Sequence, residues 1–290
     1  MLDFLTRPMT QLGETPEDIS LHFSIVAGET RSLEADMGIR SAAHYDRNYV
    51  TTSMTTQAIE ELIEEGCEQI TILEPGMGTG INLVAAVLAA KDRVPIRAIG
   101  IEKSQNSLKF ANKMVEEYGL SSKIEIIEGD MFDQDLSEVK ADVLILEHLS
   151  HLLQDEKELQ LPAANHFQQY THEKTKYVPL GIDFFINPIK KEFIGPVELG
   201  KIRFNRPYGD MFSLQSHVKF NAPTKQIRIQ GNVIGPNGKP INYFRDIDYL
   251  RVSQTVPLEI KQPGDYLISL TWGTTKNNHQ QYSSVTAQKL

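Results

Sequence analysis

The chain has 290 residues, 40% of them apolar and 23% charged, with a formal net charge of −9 and one cysteine. That length accommodates one large domain or two modest ones, and the composition is that of a soluble globular protein. The lone cysteine, Cys67, excludes an internal disulfide and fits a reducing compartment.

The N-terminal stretch MLDFLTRPMTQLGE has no apolar core behind basic residues, and no run of about 18 apolar residues follows, so neither a signal peptide nor a membrane partner is expected. A cytoplasmic location is the expectation. Charge is unevenly placed: Gly181–Leu290 holds 14 basic and 8 acidic residues, which leaves 15 basic against 30 acidic in the first 180. Such an acidic front disfavours nucleic acid as a partner and favours a cationic one.

In chain order, residues 1–68 read as a helical cap, with Met54, Ala58, Ile59, Leu62 and Ile63 at helical spacing. Within a cofactor-binding domain expected over residues 69–176, residues 69–148 alternate strand and helix: Gln69–Leu73, Ile81–Ala90, Ile96–Ile101, Ser104–Tyr118, Ile124–Ile127 and Ala141–Leu146. That alternation predicts a parallel sheet with crossover helices, a Rossmann-like α/β core. A polar stretch, Leu152–Lys174, is expected to be helical. From Tyr177 to Leu290 the pattern turns to short β runs: Ile182–Ile186, Lys201–Asn205, His217–Asn221, Gln226–Ile229, Tyr249–Val252 and Tyr266–Trp272. Gly235-Pro236-Asn237-Gly238 is the clearest hairpin signal, followed by Gln262-Pro263-Gly264-Asp265. This last third is expected to be an antiparallel β-domain, a sandwich or partial barrel.

The chemistry begins where the first strand of the core runs into glycines, in Ile70–Gly80 (ITILEPGMGTG). Glycines let the backbone approach a ligand at a helix N-terminus, and Glu102, at the end of the next strand, is placed to accept ribose hydroxyls. The spacing is Glu74, Gly76, Gly78, Gly80, tighter than the dinucleotide G-x-G-x-x-G. It resembles motif I of the class I S-adenosylmethionine-dependent methyltransferases, whose turn passes close to the amino-acid part of the cofactor. Gly129-Asp130-Met131 resembles that family's adenine-binding segment. The resemblance implies S-adenosyl-L-methionine as cofactor, bound through Glu74, Gly76, Met77, Gly78, Gly80, Glu102, Lys103, Asp130 and Met131.

The fourth strand of the core ends in Leu146-Glu147-His148-Leu149-Ser150-His151, without the N/D-P-P-Y/F loop of enzymes that methylate nucleic-acid bases. Glu156 follows Glu147 by nine residues. On one straight helix that spacing puts the two on opposite faces, so they converge only if the chain bends. The pair resembles the double-E loop of the protein arginine methyltransferases, which implies Glu147 and Glu156 as catalytic residues holding a guanidinium. A guanidinium is planar, permanently cationic and a poor nucleophile, and its donors match carboxylates two by two. Tyr45-Asp46-Arg47-Asn48-Tyr49 resembles that family's Y-x-x-x-Y, implying Tyr45 and Tyr49 at the substrate channel, one helical turn apart. Lys176-Tyr177-Val178-Pro179-Leu180-Gly181 resembles its L-x-P-x-G segment, with Tyr177 in place of Leu.

The chain departs from that family in three ways. The only tryptophan, Trp272, lies in Leu270-Thr271-Trp272-Gly273 without the Thr-His-Trp loop's histidine, Leu146 stands where the family has Ser, and no helical dimerisation arm interrupts the β-domain. The acceptor is therefore expected to be a cationic nitrogen in a protein, peptide or small molecule, and a homodimer is compatible with the resemblance. The alternative is a small-molecule O- or N-methyltransferase with His148 or His151 as general base; both are substrate-binding candidates. Two histidines without further ligands make no metal site, so no metal is expected.

Overall fold

A computed structural model describes residues 15–30, 37–148, 160–190, 192–209, 211–241, 252–274 and 281–290. They form two compact units. The first holds the described residues up to Glu147 together with Gln169–Val178. The second holds His148, the segment ending at Gln168, and the described residues from Pro179 on. Among the described residues no helix is long and apolar enough to cross a membrane.

The first unit opens with helices α1 (Pro16–Thr30), α2 (Met37–Ala42) and α3 (Tyr45–Glu64). Ile19, Phe23 and Ala27 on α1, with Met54, Ala58, Ile59 and Leu62 on α3, are buried at helical spacing. A polar seam runs beside them. The Ser20 and Thr52 hydroxyls lie 3.0 Å apart, and Asn48 donates to Ser24 Oγ and to the Ala42 carbonyl. Buried polar groups satisfied in this way fix the register of the helices as well as their contact.

Strands β1 (Ile70–Pro75), β2 (Ile96–Glu102), β3 (Ile124–Glu128), β4 (Ala141–Ile145) and β5 (Thr171–Val178) make one parallel sheet in the order β3-β2-β1-β4-β5. Helix α4 (Ile81–Ala90) follows β1 and α5 (Gln105–Glu117) follows β2. Nine of the ten residues of α4 are buried, as its nearly all-apolar sequence requires. The strand order reverses between β1 and β4, and in open α/β sheets the crevice at such a point, beyond the carboxyl ends of the strands, is where ligands bind. Lys176 on β5 pairs with Glu61 at 3.2 Å and Glu65 at 2.6 Å, tying α3 to the sheet edge.

The expected helix over Leu152–Lys174 is corrected. Residues 149–159 lie outside the described residues, and the helix α6 spans Gln160–Phe167. A 3-10 turn, Gln168–Tyr170, then leads into β5, which already includes Thr171–Lys174. His172, Glu173 and Lys174 are solvent-exposed on an edge strand. Edge strands carry such charges, which blunt unwanted pairing and erase the apolar alternation that would announce a strand.

The second unit is two antiparallel sheets. One has the order β10-β9-β6-β7 and is built of β6 (Gly181–Asn187), β7 (Val197–Arg203), β9 (Thr224–Ile234) and β10 (Val252–Ile260). The other has the order β12-β11-β8 and is built of β8 (Met211–Phe220), β11 (Gly264–Thr274) and β12 (Gln281–Lys289). Phe184 of the first sheet meets Trp272 of the second with ring centroids 5.3 Å apart, and Phe212 stacks on Trp272 at 4.9 Å. Trp272 is 1% exposed and is a core residue of this unit. Asn165 on α6 exchanges two hydrogen bonds with the backbone of Tyr208, anchoring that helix to the β-domain. At Gly235–Gly238 the chain makes the expected tight turn, closed by Gly235 N–H to Lys239 O. Gln262–Asp265 is not a hairpin: β10 and β11, which it joins, belong to different sheets.

Gly181 sits where β6 is flanked by β7 and β9, and a Cβ there would lie 2.1 Å from the Ile202 carbonyl oxygen. Backbone cannot yield as a side chain can, so Gly181→Ala is expected to lower the melting temperature by about 4–8 °C, roughly 2 kcal/mol of overpacking. Gly28→Ala in α1, where an added methyl meets nothing within 4 Å, is expected to leave it unchanged or raise it. Scanning calorimetry of both variants decides; an unmoved transition for Gly181→Ala would show that the sheet separates freely there.

Candidate active site

The turn after β1 is built on three left-handed glycines, Gly76 (φ 68°), Gly78 (φ 56°) and Gly80 (φ 74°). Only glycine adopts this conformation without strain, and three in alternation let the chain reverse between the sheet edge and α4. Met77 N–H donates to the Ile101 carbonyl at 3.0 Å and Gly80 N–H to the Met77 carbonyl at 3.0 Å, so the turn is latched to β2. Met77 is buried beneath it. Gly80 is the N-cap of α4 and offers no side-chain cap, which leaves that helix end suited to a polar or anionic ligand.

Glu102, the last residue of β2, collects three backbone donors. Its Oε2 accepts Gly78 N–H at 2.9 Å, and Oε1 accepts Lys103 N–H at 2.9 Å and Ser104 N–H at 2.8 Å. Its main-chain oxygen takes Gly129 N–H at 2.9 Å. A carboxylate offers about four acceptor directions, so these bonds leave one, on Oε2, for a hydroxyl. Asp130 caps the short turn Met131–Asp133 through Phe132 N–H at 3.1 Å, and Lys103 Nζ lies 3.0 Å from its other oxygen. Met131 is buried. The candidates Gly76, Met77, Gly78, Gly80, Glu102, Lys103, Asp130 and Met131 are thus one connected set of loops at the carboxyl ends of β1, β2 and β3.

Glu74 is 3% exposed. Asn82, the single polar residue in α4, donates to its Oε1 at 2.8 Å, while Glu74 Oε2 and Asn82 Oδ1 are buried without a hydrogen-bond partner among the described residues. Burial pushes the carboxyl up to about 8, aided by the charges of Glu147 and Glu102 and opposed by the Asn82 hydrogen bond and by Arg47. At neutral pH this acid is protonated.

Glu147, just beyond β4, is gripped by Arg47 of α3: Nε to Oε1 at 3.1 Å and Nη2 to Oε2 at 2.5 Å. Both side chains are nearly buried, 15% and 12% exposed, and the two-point fork is the strong form of the contact. Tyr45 and Tyr49 flank Arg47 on α3 and stack on each other, with ring centroids 6.1 Å apart and planes 13° apart. His148 is half-buried, and its backbone N–H donates to Gln160 Oε1 at 2.9 Å. Glu156 and His151 lie outside the described residues.

Reasoning from the sequence missed Arg47 and Asn82. Arg47 stands inside the quoted Tyr45–Tyr49 motif as its only base, and Asn82 is the polar exception in INLVAAVLAA. Each was a visible anomaly whose partner lies elsewhere in the chain.

Residues 73–161 match the family model described as a methyltransferase domain. The Trypanosoma brucei PRMT1 enzyme-prozyme heterotetrameric complex with AdoHcy is similar over 82% of this chain and 94% of that one, at 13% identity and a TM-score of 0.54. A putative class I S-adenosylmethionine-dependent methyltransferase from Listeria monocytogenes is similar over 64% of this chain and 57% of that one, at 16% identity and a TM-score of 0.42. No curated protein matches the chain. The chain thus carries a methyltransferase domain on a Rossmann-like parallel sheet, followed by antiparallel sheets.

Because the folded pKa of Glu74 lies above its ordinary value of 4.5, the folded state holds a proton that the unfolded state has lost between those limits. The stability contributed by this group is therefore greatest below about pH 4.5 and falls as pH rises to about 8, then levels off. Glu74→Gln, a neutral mimic, is expected to gain in melting temperature over the parent as pH rises from 5.5 to 9. A constant difference across that range would show an ionised Glu74.

Proposed function

We propose that the chain transfers a methyl group from S-adenosyl-L-methionine to a guanidinium or similar cationic nitrogen in a protein, peptide or small molecule, releasing S-adenosyl-L-homocysteine. The donor supplies an electrophilic methyl on a sulfonium; the acceptor side is the chain's own contribution. The observation that carries the acceptor reading is the fork at Glu147, which already receives a guanidinium, that of Arg47, through two N–H donors.

The donor side rests on the glycine turn, Glu102 and Asp130, and it suits a nucleoside with an amino-acid tail. The uncapped start of α4 and the left-handed glycines take the tail, the remaining acceptor direction of Glu102 takes a ribose hydroxyl, and Asp130 with Met131 flanks the base. Glu147 then holds the acceptor nitrogen beside the methyl, together with Glu156. Two carboxylates around one guanidinium draw its positive charge away from the reacting nitrogen and fix that nitrogen in line, so the catalytic gain is positioning and electrostatics. Tyr45 and Tyr49, a stacked pair one turn apart on the helix that carries Arg47, supply an aromatic wall for a cation. The structural likeness to the Trypanosoma brucei PRMT1 complex supports this reading through the shared fold.

Glu147→Gln is expected to lower turnover about 10²–10³-fold while the dissociation constant for S-adenosylhomocysteine stays within about threefold. The assay is transfer of a labelled methyl to a panel of arginine peptides, free arginine and cell extract, with products read by mass. His148→Ala separates this reading from a histidine base, which would place the larger loss of turnover there. Full activity in Glu147→Gln, or a strong defect confined to His148→Ala, would overturn the assignment in favour of a histidine base.

A further inference from the structure

The sheets end in the edge strands β3 and β5, β7 and β10, and β8 and β12. An open edge invites another strand, and natural edges are guarded by charges, proline, bulges or a covering element. β3 carries Glu125 and Glu128, and β5 carries His172, Glu173 and Lys174. β7 shifts register against β6 and carries Glu198, Lys201 and Arg203. β10 contains Pro257 with a register shift beside it. β8 lies against β7, so closely that a Cβ on Gly200 would stand 2.9 Å from Leu214 Cδ2. β12 differs from all of these. It has no proline, its one charge is Lys289 at its last position, and it pairs with β11 without a register shift from Gln281 to Lys289. β10 passes beside it but belongs to the other sheet.

The direction of its backbone groups follows from one bond. Leu290 N–H donates to the Asp265 carbonyl at 2.9 Å, one step beyond the Tyr266–Lys289 pair. Backbone groups alternate sides along an antiparallel strand, so the even-numbered residues of β12 turn to β11 and Ser283, Val285 and Ala287 turn to the open edge. We propose that this edge pairs with β12 of a second copy of the chain, antiparallel and centred on Val285, joining the two β12-β11-β8 sheets into one. Val285 then meets Val285, Ser284 meets Thr286 and Ser283 meets Ala287, and the outward groups close about ten backbone hydrogen bonds. Centring on Val285 is the register that overlaps the whole strand. Lys289 falls opposite Gln281, so no like charges face each other, and the exposed Ser284 and Thr286 make a favourable hydroxyl pair. Val285 and Ala287, only half-buried at the open side, gain cover. The strand is complementary to itself, as a two-fold contact requires, and that selects a second copy as the occupant.

Sedimentation velocity of the full chain at micromolar concentration tests this, and a dimer is expected. Ser284→Lys combined with Thr286→Lys sets lysines opposite each other across the two-fold axis and is expected to give a monomer. Ser284→Lys combined with Thr286→Glu sets opposite charges there and is expected to remain dimeric. Both positions are exposed, so circular dichroism is expected to show the parent's fold and melting temperature in each variant, apart from what dissociation itself removes. A monomeric parent would overturn the proposal. So would a dimer that survives in the two-lysine variant as fully as in the lysine–glutamate variant, since that dimer would be held through another surface.

Discussion

The loops that make the candidate site converge on one residue, Glu102, through its carboxylate and its main-chain oxygen. Glu102 takes the N–H of Gly78 from the turn after β1 and the N–H groups of Lys103 and Ser104 from the turn after β2, and its carbonyl takes Gly129 from the turn after β3. Backbone donors at a strand end must find partners, and here three loops find theirs on the same residue. The direction in which α4 starts and the placing of Asp130 both follow from that convergence. The turns after β1 and β3 are also packed, on buried Met77 and Met131, so one side chain fixes loops that apolar contacts hold as well.

Three glutamates within one electrostatic neighbourhood do three different things, and the difference lies in what each meets. Glu102 meets backbone N–H groups, Glu147 meets a guanidinium, and Glu74 is buried with one amide donor. Glu74 carries a proton because burial penalises its charged form, and the charges of Glu147 and Glu102 add to that penalty. Among the described residues Arg47 is the cation whose charge opposes that of Glu147 and Glu102 at Glu74, and a nearly buried site tolerates little unpaired charge. Protonating the deepest carboxyl keeps the two outer ones available.

The parts of this arrangement that the sequence made legible are local. Glycine spacing at Gly76, Gly78 and Gly80 reads directly as left-handed backbone, and the alternation of apolar strands and helices over residues 69–148 reads as a parallel sheet because each element carries its own period. Glu102 and Asp130 were found by their place after strands. What stayed hidden depends on distant partners. Arg47 and Glu147 are 100 positions apart, and nothing in either segment names the other. The proton on Glu74 depends on how deeply β1 is buried. The strand at Thr171–Val178 was hidden for a different reason, since a charged edge strand has no apolar alternation to reveal it. Gln262–Asp265 carries good turn chemistry, yet turn chemistry does not say to which sheet the next strand belongs.

The Arg47–Glu147 fork also constrains what an acceptor must be in the proposed reading. An internal guanidinium held on α3 competes for Glu147 at the high effective concentration of a tethered group. An incoming group that offers only a point charge, such as a primary ammonium, would exchange a planar two-donor fit for a weaker one and would leave Arg47 without its partner. A guanidinium restores the same two bonds to Glu147, while Arg47 loses its partner to either cation, so contacts elsewhere on the acceptor decide the direction of the exchange. Selection for a planar, two-donor cation thus follows from the competitor already seated in the fork.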